Sequence, residues 1–78
     1  PPPGTREPWL AVDLACGTGA NALRLAPRLP GPQRWRLVDA DPALLAVARR
    51  RCAGLVDAQG RPVAVTATTA DLAGPALE

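Results

Sequence analysis

Apolar and polar residues alternate along the chain in segments that predict the order strand, helix, strand, helix, strand. The first segment, residues 9–14, is a short apolar run that ends in a glycine-rich turn, which is typical of a strand buried on both faces of a parallel sheet. The second and third strands are predicted over residues 34–39 and 63–67, of which the last is rich in β-branched side chains.

Two helices are predicted between these strands. The first covers residues 20 to about 29; Pro27 weakens its last turn, and residues 30–32, Pro-Gly-Pro, stop it. The second helix has Asp41 as its N-cap and Pro42 as its first residue, and it runs to about residue 53. Its buried stripe is predicted to be Leu44, Leu45, Ala48 and Cys52.

Alternating strands and helices predict an α/β fold, in which a parallel sheet is built with right-handed crossovers. Five elements make only the first half of a Rossmann-like, doubly wound fold, which has three layers (α/β/α) when complete. The chain has 78 residues, enough for one small domain. We expect residues 1–8, which are rich in proline, to be an extended or disordered lead-in, and residues 9–78 to be a partial domain.

Charge gives little indication of a macromolecular partner. The net charge is +2, and every basic residue is arginine. No aromatic residues are interleaved with the arginines in the way that stacking of nucleic-acid bases requires, so a solvated arginine surface is the simpler interpretation. The arginines that could form a basic patch are Arg34, Arg36, Arg49, Arg50 and Arg51.

The two cysteines and the absence of long apolar runs indicate an expected location. The sequence shows no secretory signature and no apolar run of the roughly 20 residues that a membrane span needs. Cys16 and Cys52 are therefore interpreted as reduced thiols of a cytoplasmic protein. Since the chain contains no histidine, these two cysteines predict no metal site, and Cys16 lacks the base that a nucleophile needs.

Three features follow the ends of the three predicted strands. They are residues 16–19, Cys-Gly-Thr-Gly, after the first strand, Asp39 after the second, and Asp71 with Leu72 after the third. Ligands of open α/β sheets bind beyond the carboxyl ends of the strands, so these features converge on one crevice. Glycines allow close approach of the backbone, an aspartate can accept hydrogen bonds from a ribose diol, and Asp-Leu can contact a base.

Spacing alone leaves a dinucleotide such as NAD open as the ligand. Gly17, Gly19 and Ala22 match the pattern G-x-G-x-x-[GA], and Asp39 lies 20 residues after Gly19, as that pattern expects. Asp13, ahead of the glycines, has no function in NAD binding, and a charge near the end of a buried strand is costly unless it is paired.

Residues 12–19, Val-Asp-Leu-Ala-Cys-Gly-Thr-Gly, resemble motif I of the class I S-adenosylmethionine-dependent methyltransferases. The resemblance continues through residues 37–49 to Asp71-Leu72, and so covers nearly the whole chain from Trp9. One departure is Ala15, which stands where the family usually begins its glycine series.

The resemblance implies a methyltransferase that uses S-adenosyl-L-methionine. It implies that Asp13 pairs with the methionine ammonium and that the backbone of Ala15, Cys16, Gly17, Thr18 and Gly19 cradles the methionine moiety. By the same resemblance, Asp39 with its neighbour Ala40 binds the ribose, and Asp71 and Leu72 contact the adenine.

The methyl acceptor is expected to be a small molecule, and no catalytic residue can be assigned. An NAD(P)-binding oxidoreductase domain and a non-catalytic fragment or pseudoenzyme are the alternatives. In the complete family fold the first strand pairs with a fourth one, so its bare edge is expected to allow self-association here.

Overall fold

The computed structural model describes residues 8–70, which form a three-stranded parallel sheet with two helices. The strands are β1 (Trp9–Leu14), β2 (Gln33–Asp39) and β3 (Ala64–Thr69), in the spatial order β1-β2-β3. Both pairings are parallel. The predicted class, an α/β fold corresponding to the first half of a Rossmann-like domain, is confirmed. Nearly all of the predicted lead-in, residues 1–7, lies outside the described residues.

The helices are shorter than predicted. Helix α1 (Ala20–Leu25) gives way to a 3-10 turn (Ala26–Arg28), because Pro27 has no N–H for the helical ladder, although Ala26 itself keeps helical backbone. Helix α2 (Pro42–Arg51) ends two residues before the predicted position. Within residues 8–70, neither helix has the length and apolar content to cross a membrane.

The start of α2 agrees with its sequence signals. The Asp41 carboxylate accepts hydrogen bonds from the backbone N–H groups of Ala43 at 2.8 Å and Leu44 at 3.4 Å, so the predicted N-cap is confirmed. Leu45, Ala48 and Cys52 are buried as predicted, whereas Leu44 is 37% exposed. Leu44 was wrongly placed in the buried stripe: its neighbour Leu45 in the first turn of α2 is buried, whereas Leu44 lies on the exposed side of the helix.

The core lies between one face of the sheet and the two helices. Its buried members are Cys16, Ala22, Ala26, Trp35, Leu37, Leu45, Ala48, Cys52 and Leu55. Both crossovers proceed in the same direction along the sheet and have the same hand, which puts both helices on one side. The other face is open in the described part of the chain, and Leu10, Val12 and Leu14 are each about half exposed there. The prediction that the first strand is buried on both faces is therefore wrong for residues 8–70.

Gln33 hydrogen-bonds the end of the first helical segment to the sheet. It is the first residue of β2, one residue before the predicted start of that strand. Its side chain is 3% exposed. The amide nitrogen donates to the carbonyl oxygens of Ala26 at 2.9 Å and Leu29 at 2.8 Å, and the amide oxygen accepts from the Trp35 indole N–H at 2.7 Å. The carbonyl groups at the end of a helix have no N–H partners within the helix, and here the Gln33 amide supplies the donor while its own oxygen is also hydrogen-bonded.

Candidate functional site

The loop between β1 and α1 carries three residues with left-handed backbone. Ala15, Gly17 and Gly19 have φ angles of 55°, 57° and 85°. The loop is held against the end of β2, because the Cys16 N–H donates to the Val38 carbonyl at 3.0 Å and the Gly17 N–H donates to the Asp39 carboxylate at 2.9 Å. The chain therefore turns sharply at the carboxyl end of β1 and leaves its backbone close to that of β2.

Ala15 occupies a conformation that favours glycine, so we expect Ala15→Gly to stabilise the protein. Left-handed backbone costs an L-residue roughly 1–2 kcal/mol, and the extra freedom of glycine in the unfolded chain offsets part of this. A net gain of about 0.5–1 kcal/mol in the free energy of unfolding should appear in urea titrations. Ala20→Gly, in the first turn of α1, is the matched control and should lower stability by up to about 1 kcal/mol. Destabilisation by both changes would contradict this account of the loop.

Asp13, the penultimate residue of β1, is buried beneath this loop with one oxygen lacking a partner. The residue is 8% exposed. Its Oδ1 accepts from the Asn21 side-chain amide at 3.4 Å, whereas its Oδ2 is buried and has no hydrogen-bond partner. An unsatisfied buried acceptor costs about 1–3 kcal/mol, and a ligand that donates to Oδ2 would offset this cost.

Asp39 ends β2 and connects two backbone segments. Its Oδ2 accepts from the Gly17 N–H at 2.9 Å and its Oδ1 from the Asp41 N–H at 3.0 Å. These hydrogen bonds, that from Asp41 first, hold the pKa of the Asp39 carboxyl below its ordinary value. A carboxylate offers about four acceptor positions, so it keeps acceptor capacity for a ligand. The neighbouring Ala40 is exposed.

Thr18 is held by Arg51, the last residue of α2, which the sequence reading placed on a solvated arginine surface. The Arg51 guanidinium donates to the Thr18 carbonyl oxygen at 3.1 Å and to the Thr18 hydroxyl at 2.6 Å. Three successive arginines give no indication of which one turns toward a loop 33 residues earlier, so the sequence carried no signal for this contact.

The two cysteines are buried free thiols. Burial, with smaller contributions from the nearby Asp13 and Asp39 carboxylates, raises the pKa of the Cys16 thiol. Burial likewise raises the pKa of Cys52, which is 1% exposed and packs beside Gly19. A raised thiol pKa opposes nucleophilic reactivity. The interpretation of Cys52 as a core residue is confirmed.

The structure brings the first two predicted features together. The loop and Asp39 are joined by the hydrogen bond from Gly17. The third feature, Asp71 with Leu72, lies outside the described residues. The last described residue, Ala70, donates its N–H to the Asp39 carbonyl at 3.0 Å, so β3 ends beside Asp39.

A parallel sheet with a glycine loop after β1 and an aspartate at the end of β2 defines a Rossmann-like α/β protein. A family model described as a methyltransferase domain matches residues 11–75, which is most of the chain. The chain therefore belongs to the class I S-adenosylmethionine-dependent methyltransferase family. No curated protein and no solved structure matches it at a significant level.

Proposed function

We propose that this chain binds S-adenosyl-L-methionine as the cofactor-binding part of a methyltransferase. The observation that carries the proposal is the buried, unpartnered Oδ2 of Asp13 beneath the glycine loop. The ammonium group of a methionine moiety would satisfy that oxygen, directly or through a water molecule, and would neutralise a carboxylate that is otherwise costly to bury. The residues present therefore fit this cofactor.

The other proposed contacts with the cofactor come from residues at or after the ends of the second and third strands. Asp39 would accept hydrogen bonds from the ribose hydroxyls, with Ala40 beside it, and Asp71 with Leu72 would contact the adenine. The N–H groups of Cys16, Gly17 and Gly19 already donate within the protein.

Those internal hydrogen bonds limit the number of loop N–H groups that could donate to the cofactor. With three of its N–H groups used, the loop would offer the methionine moiety mainly close backbone contact. The methionine carboxylate would then depend on Thr18 and on the first turn of α1, whose N–H groups have no acceptors within the helix.

When bound, this cofactor supplies a methyl group on a positively charged sulfur, which is already activated toward in-line attack. The part of the chain that the structure describes would bind and orient the donor, because holding the reacting groups in line is the main requirement of such a transfer.

The partners in this proposal are a small-molecule methyl acceptor and, through the edge of β1, a second copy of the chain. Within residues 8–70, β1 pairs with β2 alone, so its other edge has unpaired backbone groups, and the half-exposed Leu10, Val12 and Leu14 lie on the open face beside that edge; both support the second of these. A cytoplasmic location is also proposed, on the basis of the two free cysteines.

The NAD alternative fits the same structure less well. A dinucleotide would bring an anionic pyrophosphate to the loop that covers Asp13, and its one cation, the nicotinamide ring, has no N–H on the charged nitrogen to donate to the Asp13 oxygen. The pyrophosphate would also meet a loop in which three N–H groups are already used. A non-catalytic relative that only binds the cofactor would differ from our proposal in turnover alone.

Two neighbouring aspartates allow a matched test of the ribose contact. Asp39→Asn should weaken binding of S-adenosylhomocysteine, the product form of the cofactor, about tenfold to 100-fold, because hydrogen bonds to a charged group contribute about 1.5–3 kcal/mol. Asp41→Asn, two residues later, should change the affinity less than about twofold, since asparagine is an equally good N-cap. Isothermal titration calorimetry on both variants, with circular dichroism to verify folding, measures this. Unchanged affinity of the folded Asp39→Asn variant would overturn the proposed contact.

A further inference from the structure

Asn21 is the one side chain that donates a hydrogen bond to the Asp13 carboxylate within residues 8–70. Its amide nitrogen donates to Asp13 Oδ1 at 3.4 Å. Asn21 is exposed on the surface of α1, whereas Asp13 is buried under the loop. The hydrogen bond therefore connects an exposed residue in the first turn of α1 to a buried residue near the end of β1.

The helix itself gives no reason for an asparagine at this position. Gly19 is the N-cap of α1, and no side chain caps the helix. Asn21 lies inside the first turn, between two alanines, where asparagine is a poorer helix former than alanine by roughly 0.5–0.7 kcal/mol. The sequence gives no indication that Asn21 would contact Asp13, so this hydrogen bond is an addition from the structure.

We propose that Asn21 is a positioning residue that sets the orientation of Asp13, and thereby makes the site selective for ligands that carry an amino group. With Oδ1 engaged by the amide, the carboxylate is restrained from rotating, and Oδ2 is the oxygen left free. A restrained acceptor binds an amine more tightly than one that must first be ordered. This inference rests on the proposed function.

The test compares two ligands that differ in the part Asn21 acts on. S-adenosylhomocysteine contains the amino-acid portion, and 5′-methylthioadenosine is the nucleoside thioether without it. Asn21→Leu, which keeps the approximate size but removes the donor, should weaken binding of S-adenosylhomocysteine about fivefold to tenfold and leave 5′-methylthioadenosine within about twofold. Asn21→Gln, which keeps an amide donor, should restore at least part of the loss. Arg24→Leu, at another exposed position of α1, is the control and should change neither affinity.

The possible outcomes distinguish failure of the inference about Asn21 from failure of the proposed cofactor binding. Equal weakening of both ligands by Asn21→Leu would indicate a structural role and overturn the inference. Unchanged binding of S-adenosylhomocysteine by a folded Asn21→Leu variant would also overturn it. Both results presuppose that the unaltered protein binds S-adenosylhomocysteine; if it binds neither ligand, the proposed function itself fails.

Discussion

Gly19→Ala is expected to lower the free energy of unfolding by about 1.5–4 kcal/mol. Two causes add. At a φ of 85° the backbone is left-handed, which costs an L-residue roughly 1–2 kcal/mol, and the smaller freedom of alanine in the unfolded chain offsets part of this to leave about 0.5–1 kcal/mol. A Cβ atom at this position would also lie 3.1 Å from Cys52 Sγ and 3.3 Å from Ala48 Cβ, and both neighbours are fully packed. Forcing an extra methyl group into a packed core costs about 1–3 kcal/mol. The net free energy of unfolding of a domain of this size is only about 3–5 kcal/mol. A urea titration should therefore show that a large fraction of the variant is already unfolded at low urea concentration.

Two control variants distinguish the backbone contribution from the packing contribution to the loss of stability in Gly19→Ala. Gly17→Ala has the backbone effect alone, because no atom lies within 4 Å of its Cβ position, and after the same offset from the unfolded chain it should lose only about 0.5–1 kcal/mol. The double change Gly19→Ala with Cys52→Ala removes the nearest contact. It should therefore lose less stability than the sum of its two single changes. Equal losses from Gly17→Ala and Gly19→Ala would contradict the packing argument.

Asp13→Val is expected to act in opposite directions on stability and on binding. Removing the unpartnered Oδ2 should raise the free energy of unfolding by about 1–2 kcal/mol, since valine suits a strand and leaves no buried acceptor unsatisfied. Removing the partner of the ammonium should weaken binding of S-adenosylhomocysteine about tenfold to 100-fold. Thermal unfolding and calorimetry on the same sample measure both effects. Gain of stability with loss of affinity is typical of a residue kept for its ligand.

Asp57 provides the matched control, because it is another buried aspartate whose partners are all internal. It is 3% exposed, and its Oδ1 accepts from the N–H groups of Gln59 at 2.8 Å and Arg61 at 3.0 Å. Asp57→Val should therefore destabilise the protein by about 2–4 kcal/mol, because it leaves two backbone N–H groups without an acceptor. If Asp13→Val destabilised the protein to the same degree, the Asp13 carboxylate would have a structural function.

The elements of this fold could be predicted from the sequence because their signals are local. The first strand was predicted with its observed bounds, and the Asp41-Pro42 start of α2 follows from capping rules. Bounds were less accurate where tertiary contacts decide them. Gln33 joins β2 because its amide satisfies carbonyls at the end of the preceding helical segment, and a polar side chain gives no sign of that in advance.

The candidate site was predictable in its backbone and less so in its side-chain contacts. The glycine loop and the strand-end aspartates follow from spacing, and the structure joins Gly17 to Asp39 as that spacing suggests. The contacts of Asn21 with Asp13 and of Arg51 with Thr18 depend on how the helices are oriented. No pattern along the chain records that orientation. The open face of β1 was also missed, since an apolar run shows what a strand can bury and not what covers it.

The central claim is that the site accepts the methyl-donor cofactor and not a dinucleotide. Parallel calorimetric titrations of the unaltered protein with S-adenosylhomocysteine and with NAD test it most directly. The account predicts that S-adenosylhomocysteine binds at least about 100-fold more tightly than NAD, a difference of about 2.7 kcal/mol. Equal affinities, or tighter binding of NAD, would contradict it.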